Sequence, residues 1–184
     1  MASATLDRVT VDEFMARCDA DDFELIDGEL RERTMGMEAA WVSATFYKFI
    51  AIWNDAARLG LAVADGAPLQ IFGDHYAPKP DGLYISKVRL PSARPPVGTL
   101  TVPPELVIEV VSPSDNAYAV NRKVRRYLEV GIDLVWVAYP ETRSVHVFRA
   151  DGTTAVVAPP GELSGESILP GFSRPVSDFF PDPD

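Results

Sequence analysis

The chain has one cysteine, Cys18, and two histidines, His75 and His146, in 184 residues. A lone cysteine forms no internal disulfide, which suits a reducing cytoplasm as the expected location. Two histidines are too few for a histidine-based metal centre, so any metal is expected to be a hard cation on carboxylates. No apolar run approaches about eighteen residues, so neither a spanning helix nor a membrane partner is expected. The start, MASATLDRVT, has no basic-then-apolar leader pattern. A glycine-rich phosphate loop, a G-x-S-x-G elbow and a Cys/His pair with partners are also missing, which leaves those chemistries poorly supplied. Positive charge is scarce too: 17 Lys and Arg stand against 27 Asp and Glu, a net charge of −10. This argues against broad non-specific affinity for nucleic acid, which rests on phosphate neutralisation, but is compatible with a local basic strip.

What is present is an ordinary soluble composition, 47% hydrophobic and 24% charged, long enough for a sizeable core. A single domain over 1–184 is expected, with its core at about 23–150 and a C-terminal hairpin and tail over 151–184. Its centre is PELVIEVVSPSD (104–115), where Leu106, Val107, Ile108, Val110 and Val111 read as a strand covered on both faces. Glu109 does not belong in such a run. Strand alternation places it with Val107 and Val111, where a carboxylate has to be paired, protonated or metal-bound. An arginine partner and a metal are equally good readings of that strand alone.

Around this centre the elements follow in order. Thr10 and Glu13 form a capping box for a short helix to about Cys18. FELIDGELRER (23–33) reads as a hairpin with Asp27-Gly28 in a primed turn, Leu25 opposite Leu30 and Glu24 opposite Arg31 as an ion pair. Glu29 sits just past the turn, opposite Ile26. Val42, Phe46, Phe49, Ile50, Trp53 and Ala57 form the stripe of a long helix ended by Gly60. Glu38 either extends that stripe inward or is an ordinary acidic residue of a first helical turn. Strands are expected at about 61–64 and 68–72 around Asp65-Gly66, and at 78–86, where Asp81, Leu83 and Ile85 share one face. The Pro-rich stretch 87–103, with Lys87, Arg89 and Arg94, reads as a surface loop. A helix from about Tyr118 to Val130 buries Val120, Val124, Tyr127 and Leu128 and projects Arg122, Arg125 and Arg126 outward. Lys123 borders the buried stripe, where its stem can run along the core and its ammonium can reach a strand end. Strands at 133–140 and 143–150 complete an α+β sheet, and short hairpins and a tail lead to Phe179-Phe180.

Four charged groups thus lie on or beside apolar inner faces: Glu38 or Glu29, Asp81, Glu109 and Lys123. Convergent carboxylates with one lysine suit metal-dependent phosphodiester hydrolysis. The carboxylates hold Mg²⁺ or Mn²⁺, the cation polarises the phosphoryl oxygen, and the lysine orients or deprotonates the attacking water or stabilises developing charge.

PKPDG, PPELVIEVVSPSD and K-x-x-x-YLEVGIDLVWVAYPETRSVHVFRADG together resemble the Uma-type family of putative restriction endonucleases, within the PD-(D/E)XK nuclease superfamily. The resemblance runs from about FELIDGEL to the LPGF near the C-terminus. It implies a restriction-endonuclease-like core, a mixed central sheet flanked by helices with an N-terminal hairpin, and a metal-dependent endonuclease acting on DNA. Asp81 would match the strand aspartate and Glu109 the acidic residue of the D/E-x-K element, both as metal ligands. Position 111 is Val rather than the superfamily's Lys, and Lys123 would match a lysine moved to the following helix. Glu29 matches a recurrent family motif, while Glu38 sits where many superfamily members carry a helical glutamate. Many relatives carry a histidine before the long helix; Ala39, Ala40 and Trp41 stand there in this chain. Arg89, Arg94, Arg122 and Arg125 are candidates for phosphate contacts, with solvated surface positions as the plainer reading. Many nucleases of this fold act as homodimers, and Trp41, Trp53 and Trp136 are candidates for either an interface or the core. Two other readings stay open: a nuclease-fold scaffold that no longer cuts, and a domain in which Glu109 and Lys123 are only a buried ion pair.

Overall fold

The computed structural model describes residues 8–64, 68–113 and 115–182. The chain opens with the short helix α1 (Val11–Met15), whose Thr10 and Glu13 form the expected reciprocal cap. The helix is only five residues long and ends before Cys18. So short a helix owes much to its cap, and Thr10→Ala is expected to cost about 1 kcal/mol in chemical denaturation. β1 (Phe23–Ile26) and β2 (Glu29–Glu32) follow as the hairpin, with the expected register Glu24–Arg31, Leu25–Leu30 and Ile26–Glu29. Asp27 and Gly28 both have positive φ, as a two-residue primed turn requires.

α2 (Met37–Ala57) buries Val42, Phe46 and Ile50 against the sheet. It ends at Arg58, which takes the left-handed cap conformation expected of a glycine. Gly60 instead opens β3 (Gly60–Ala64), where an added Cβ would clash with the Ile85 carbonyl oxygen. β4 (Gly82–Ser86), β5 (Leu106–Val110), β6 (Leu134–Tyr139), β7 (Ser144–Arg149) and β8 (Thr154–Val157) complete a sheet of order β3-β4-β5-β6-β7-β8. β5 and β6 are parallel and the other pairs antiparallel, so the crossover between those two strands is α3 (Ala117–Glu129). β9 (Glu162–Ser164) and β10 (Ser173–Pro175) pair with each other.

The expected strand at 68–72 is absent. Leu69 makes a single bridge to Leu100, and the expected turn at Asp65-Gly66 lies outside the described residues. Strand alternation divides the core in two. Leu106, Ile108 and Val110 face α2 and the C-terminal segment, with Trp136 fully buried beside Phe46 and Phe172. Val107 faces α3, among Leu83, Ile85, Val124 and Tyr127. A smaller cluster of Val11, Phe14, Leu25 and Ala77 ties α1 and the hairpin to the segment before β4. Among the described residues no helix is long and apolar enough to cross a membrane.

The loop 87–103 is pinned by Arg89, whose guanidinium donates to the carbonyls of Pro103, Pro104 and Gly131 and pairs with Asp133 at 2.5 Å. Arg89 therefore braces the loop and is neither a solvated charge nor a group open to a phosphate. Trp53 is half-buried against Tyr84, and Trp41 is exposed on α2.

Candidate active site

β5 sends Glu109 toward α3, on the face it shares with Val107. β4 pairs antiparallel with β5 as far as Gly82–Ile108, and one step further Asp81 comes beside Glu109 on the same face. Asp81 is fixed from three sides. Its Oδ2 accepts the Val110 N–H at 2.7 Å, its Oδ1 accepts Arg33 Nη2 at 3.2 Å, and its carbonyl accepts the Ser43 hydroxyl at 2.9 Å.

On α3, Lys123 and Tyr127 lie one turn apart and both reach Glu109. Tyr127 donates its hydroxyl to Oε1 at 2.5 Å, and Lys123 Nζ lies 3.3 Å from Oε2. The stem of Lys123 borders the buried stripe, and its ammonium reaches the end of the central strand. The same ammonium is 2.8 Å from Glu24 Oε2.

Glu24 is legible in the sequence only as the cross-strand partner of Arg31. The two are indeed opposite, but Arg31 meets Glu29 at 3.8 Å while Glu24 turns inward to Lys123. A lysine needing charge compensation in the core outcompetes an exposed arginine. Glu29 is exposed on the hairpin and Glu38 is exposed in the first turn of α2; among the described residues neither pairs with Asp81, Glu109 or Lys123. The carboxylate that the hairpin contributes to the cluster is Glu24. Asp27 holds the hairpin in place, for Arg126 bonds to it and Arg122 pairs with it at 3.5 Å. Those two arginines do not simply project into solvent; Arg126 also lies over the Tyr76 ring at 4.2 Å.

Glu24, Asp81, Glu109 and Lys123 line one cleft of about 100 Å³, with Arg33, Lys79 and Asp115 on its walls. Lys79 is buried and donates to the Ala20 carbonyl. Burial and the neighbouring Glu109 charge push Asp81 up to about 7, against the Val110 N–H, Lys123 and Arg33. Burial also raises Glu109, against Lys123 and the Tyr127 hydroxyl, with Glu24 adding to the rise. Burial alone would lower Lys123, but Glu109 and Glu24 outweigh it and hold the amine well above its ordinary value. Lys123 is therefore a fixed ammonium that can orient or stabilise, and is a poor proton acceptor.

Among the described residues no three Asp, Glu, His or Cys side chains converge closely enough to enclose an ion by themselves. A magnesium-type cation does not need such a cage, since it keeps several waters and takes one or two carboxylates. Asp81 and Glu109 fit that demand: two hard oxygen donors side by side, each raised first by burial and then by a neighbouring carboxylate, Glu109 for Asp81 and Glu24 for Glu109.

A family model described as "Uma2: Putative restriction endonuclease" matches residues 11–177. Among solved structures, the chain is similar to the crystal structure of a putative nuclease belonging to DUF820 from Anabaena variabilis ATCC 29413. The TM-score is 0.78 at 22% identity, over 93% of this chain and 97% of that one, and the likeness is one of fold. No curated protein matches the chain.

Proposed function

The chain belongs to the Uma2 family of putative restriction endonucleases, and from that premise we propose that it is a metal-dependent endonuclease cutting DNA phosphodiester bonds. The observation that carries the reading is the pairing of Asp81 with Glu109 on one face, beside a Lys123 ammonium held by two carboxylates. A purely structural ion pair would need one carboxylate, and buried pairs are a weak source of stability.

Asp81 and Glu109 would hold Mg²⁺ or Mn²⁺, which when bound polarises a phosphoryl oxygen and makes water a better nucleophile. Lys123 holds the attacking water in line and meets the charge that builds on the phosphate. Arg33 and the Val110 N–H fix the Asp81 carboxylate. Tyr127 fixes one oxygen of Glu109 and leaves the other toward Lys123. Glu24 sets the position of the Lys123 ammonium from the opposite side. Glu29 and Glu38, exposed as they are, fit at most a water-mediated part.

The test is cleavage of plasmid and single-stranded DNA with Mg²⁺, Mn²⁺ or EDTA, beside Mn²⁺ calorimetry. Cutting that EDTA abolishes supports the reading. Neither cutting nor Mn²⁺ binding would move the chain to a nuclease-fold scaffold. Glu24→Gln keeps the shape of the side chain and removes its charge; it is expected to lower kcat about tenfold with little change in KM, as partners of reacting groups commonly do.

A further inference from the structure

The outer face of α3 gathers positive charge in a chain whose net charge is −10. A cleft of about 620 Å³ lies there, with Arg122, Arg125 and Arg126 on the helix and Arg31 of β2 on the facing wall. Tyr118 stands on the same face, and its spacing to Arg122 and Arg125, four and seven residues on, lines the three up along the helix. Tyr118 is 88% exposed, so its ring covers nothing in this fold. Arg125 is exposed and makes no ion pair among the described residues, whereas Asp27 takes up part of the charge of Arg122 and Arg126. The cleft continues inward. Arg31, Asn116 and Ala119 also line the adjoining space of about 220 Å³ that reaches Glu24, Glu109 and Lys123.

We propose that this face of α3 is a groove for a single strand of nucleic acid, which it leads to Asp81, Glu109 and Lys123; the destination rests on the nuclease reading, the groove does not. An exposed ring among arginines is what an unpaired base and its flanking phosphates require. The ring stacks on a base face and the guanidinium groups track the backbone. In a duplex the base faces are already stacked on each other and are closed to Tyr118. Glu32, Asp115 and Glu129 border the path and Glu29 pairs with Arg31, so the basic strip is narrow, which suits one strand better than two.

The full chain is titrated in EDTA, where cutting is suppressed, against a labelled single-stranded DNA oligonucleotide, its RNA equivalent and the matching DNA duplex, read by fluorescence anisotropy. Tyr118→Ala is expected to weaken single-strand binding about tenfold, Tyr118→Phe to restore it, and both to leave the weaker duplex binding unchanged. Arg125→Ala is expected to reduce the log–log salt slope by about 0.7. Binding of DNA, RNA or both supports the groove and tells which strand enters it. Wild-type chain that binds neither single strand at low salt, or Tyr118→Ala that binds as tightly as wild type, overturns it. Cutting without strand binding at Tyr118 would defeat the groove alone; strand binding lost in Tyr118→Ala, with no metal-dependent cutting by wild type, would defeat the nuclease reading alone.

Discussion

Asp81→Asn and Lys123→Met are each expected to lower metal-dependent cleavage by about 10³-fold or more, while moving stability in opposite directions. The activity loss follows from the two roles. Without the Asp81 carboxylate a cation would keep Glu109 alone, and without the Lys123 ammonium the charge growing on the phosphate would lose the cationic group that Glu24 and Glu109 hold beside it. The stability effects separate the two because the cluster is crowded with negative charge. In Asp81→Asn the amide oxygen would still accept the Val110 N–H; the Arg33 contact is lost, but so is a carboxylate charge that burial and Glu109 disfavour, so the metal-free protein is expected to hold or gain stability at pH 8. Lys123→Met keeps the stem but strands Glu24 and Glu109 without their shared partner, which is expected to cost about 3–5 kcal/mol. Initial rates on plasmid DNA and thermal melting in EDTA check both halves. If either variant cuts like wild type, its residue is not part of the reacting site.

The parts of this arrangement that are legible in the sequence are those governed by local periodicity. Period-two alternation places Glu109 on one face with Val107, the face that the fold turns toward α3, and a helical wheel places Lys123 at the edge of the buried stripe, next to Tyr127. The hairpin register follows from Asp27-Gly28 alone. What alternation cannot give is which of several carboxylates wins a distant partner. Glu24 is opposite Arg31 in the ladder, yet its carboxylate goes to a lysine about a hundred residues on, because that ammonium is buried and Arg31 has water and Glu29. Arg33 and Asp27 are illegible for the same reason: each pairs across the fold, with Asp81 and with α3. Arg89 reads as a solvated loop charge because nothing local shows that three carbonyls and Asp133 meet at its guanidinium. The missing strand at 68–72 is a failure of the other kind, an apolar run that bridges at Leu69 without a ladder to join.

The metal-free protein is expected to lose stability as pH rises from about 4 to 8, and Mg²⁺ or Mn²⁺ to remove much of that loss. Asp81 is raised from the ordinary carboxylate range to about 7, and Glu109 is raised as well, both first by burial. Between the unfolded and folded values the native state holds the proton more tightly, so folding binds protons and the slope of stability with pH is negative. The contribution is fully present below the unfolded value near 4 and is lost as pH passes through about 7; for Asp81 alone it is on the order of 2–4 kcal/mol. Lys123 does not cancel it, for its raised value keeps the ammonium charged throughout this window. Two kinds of group act in the opposite sense: His146, lowered by burial, within the window, and the lowered carboxylates Glu13, Asp19 and Asp151 below it, where the unfolded chain takes up its protons. A cation held by Asp81 and Glu109 would favour the ionised pair and so would stabilise most at high pH, where the metal-free cluster is weakest. Urea unfolding at pH 5, 6.5 and 8, with EDTA and with Mn²⁺, reads the effect directly. Converging curves at pH 5 that separate at pH 8 are the expected result. A separation of the same size at every pH would place the metal away from these two carboxylates, since only ligands that must shed protons make its affinity follow this profile.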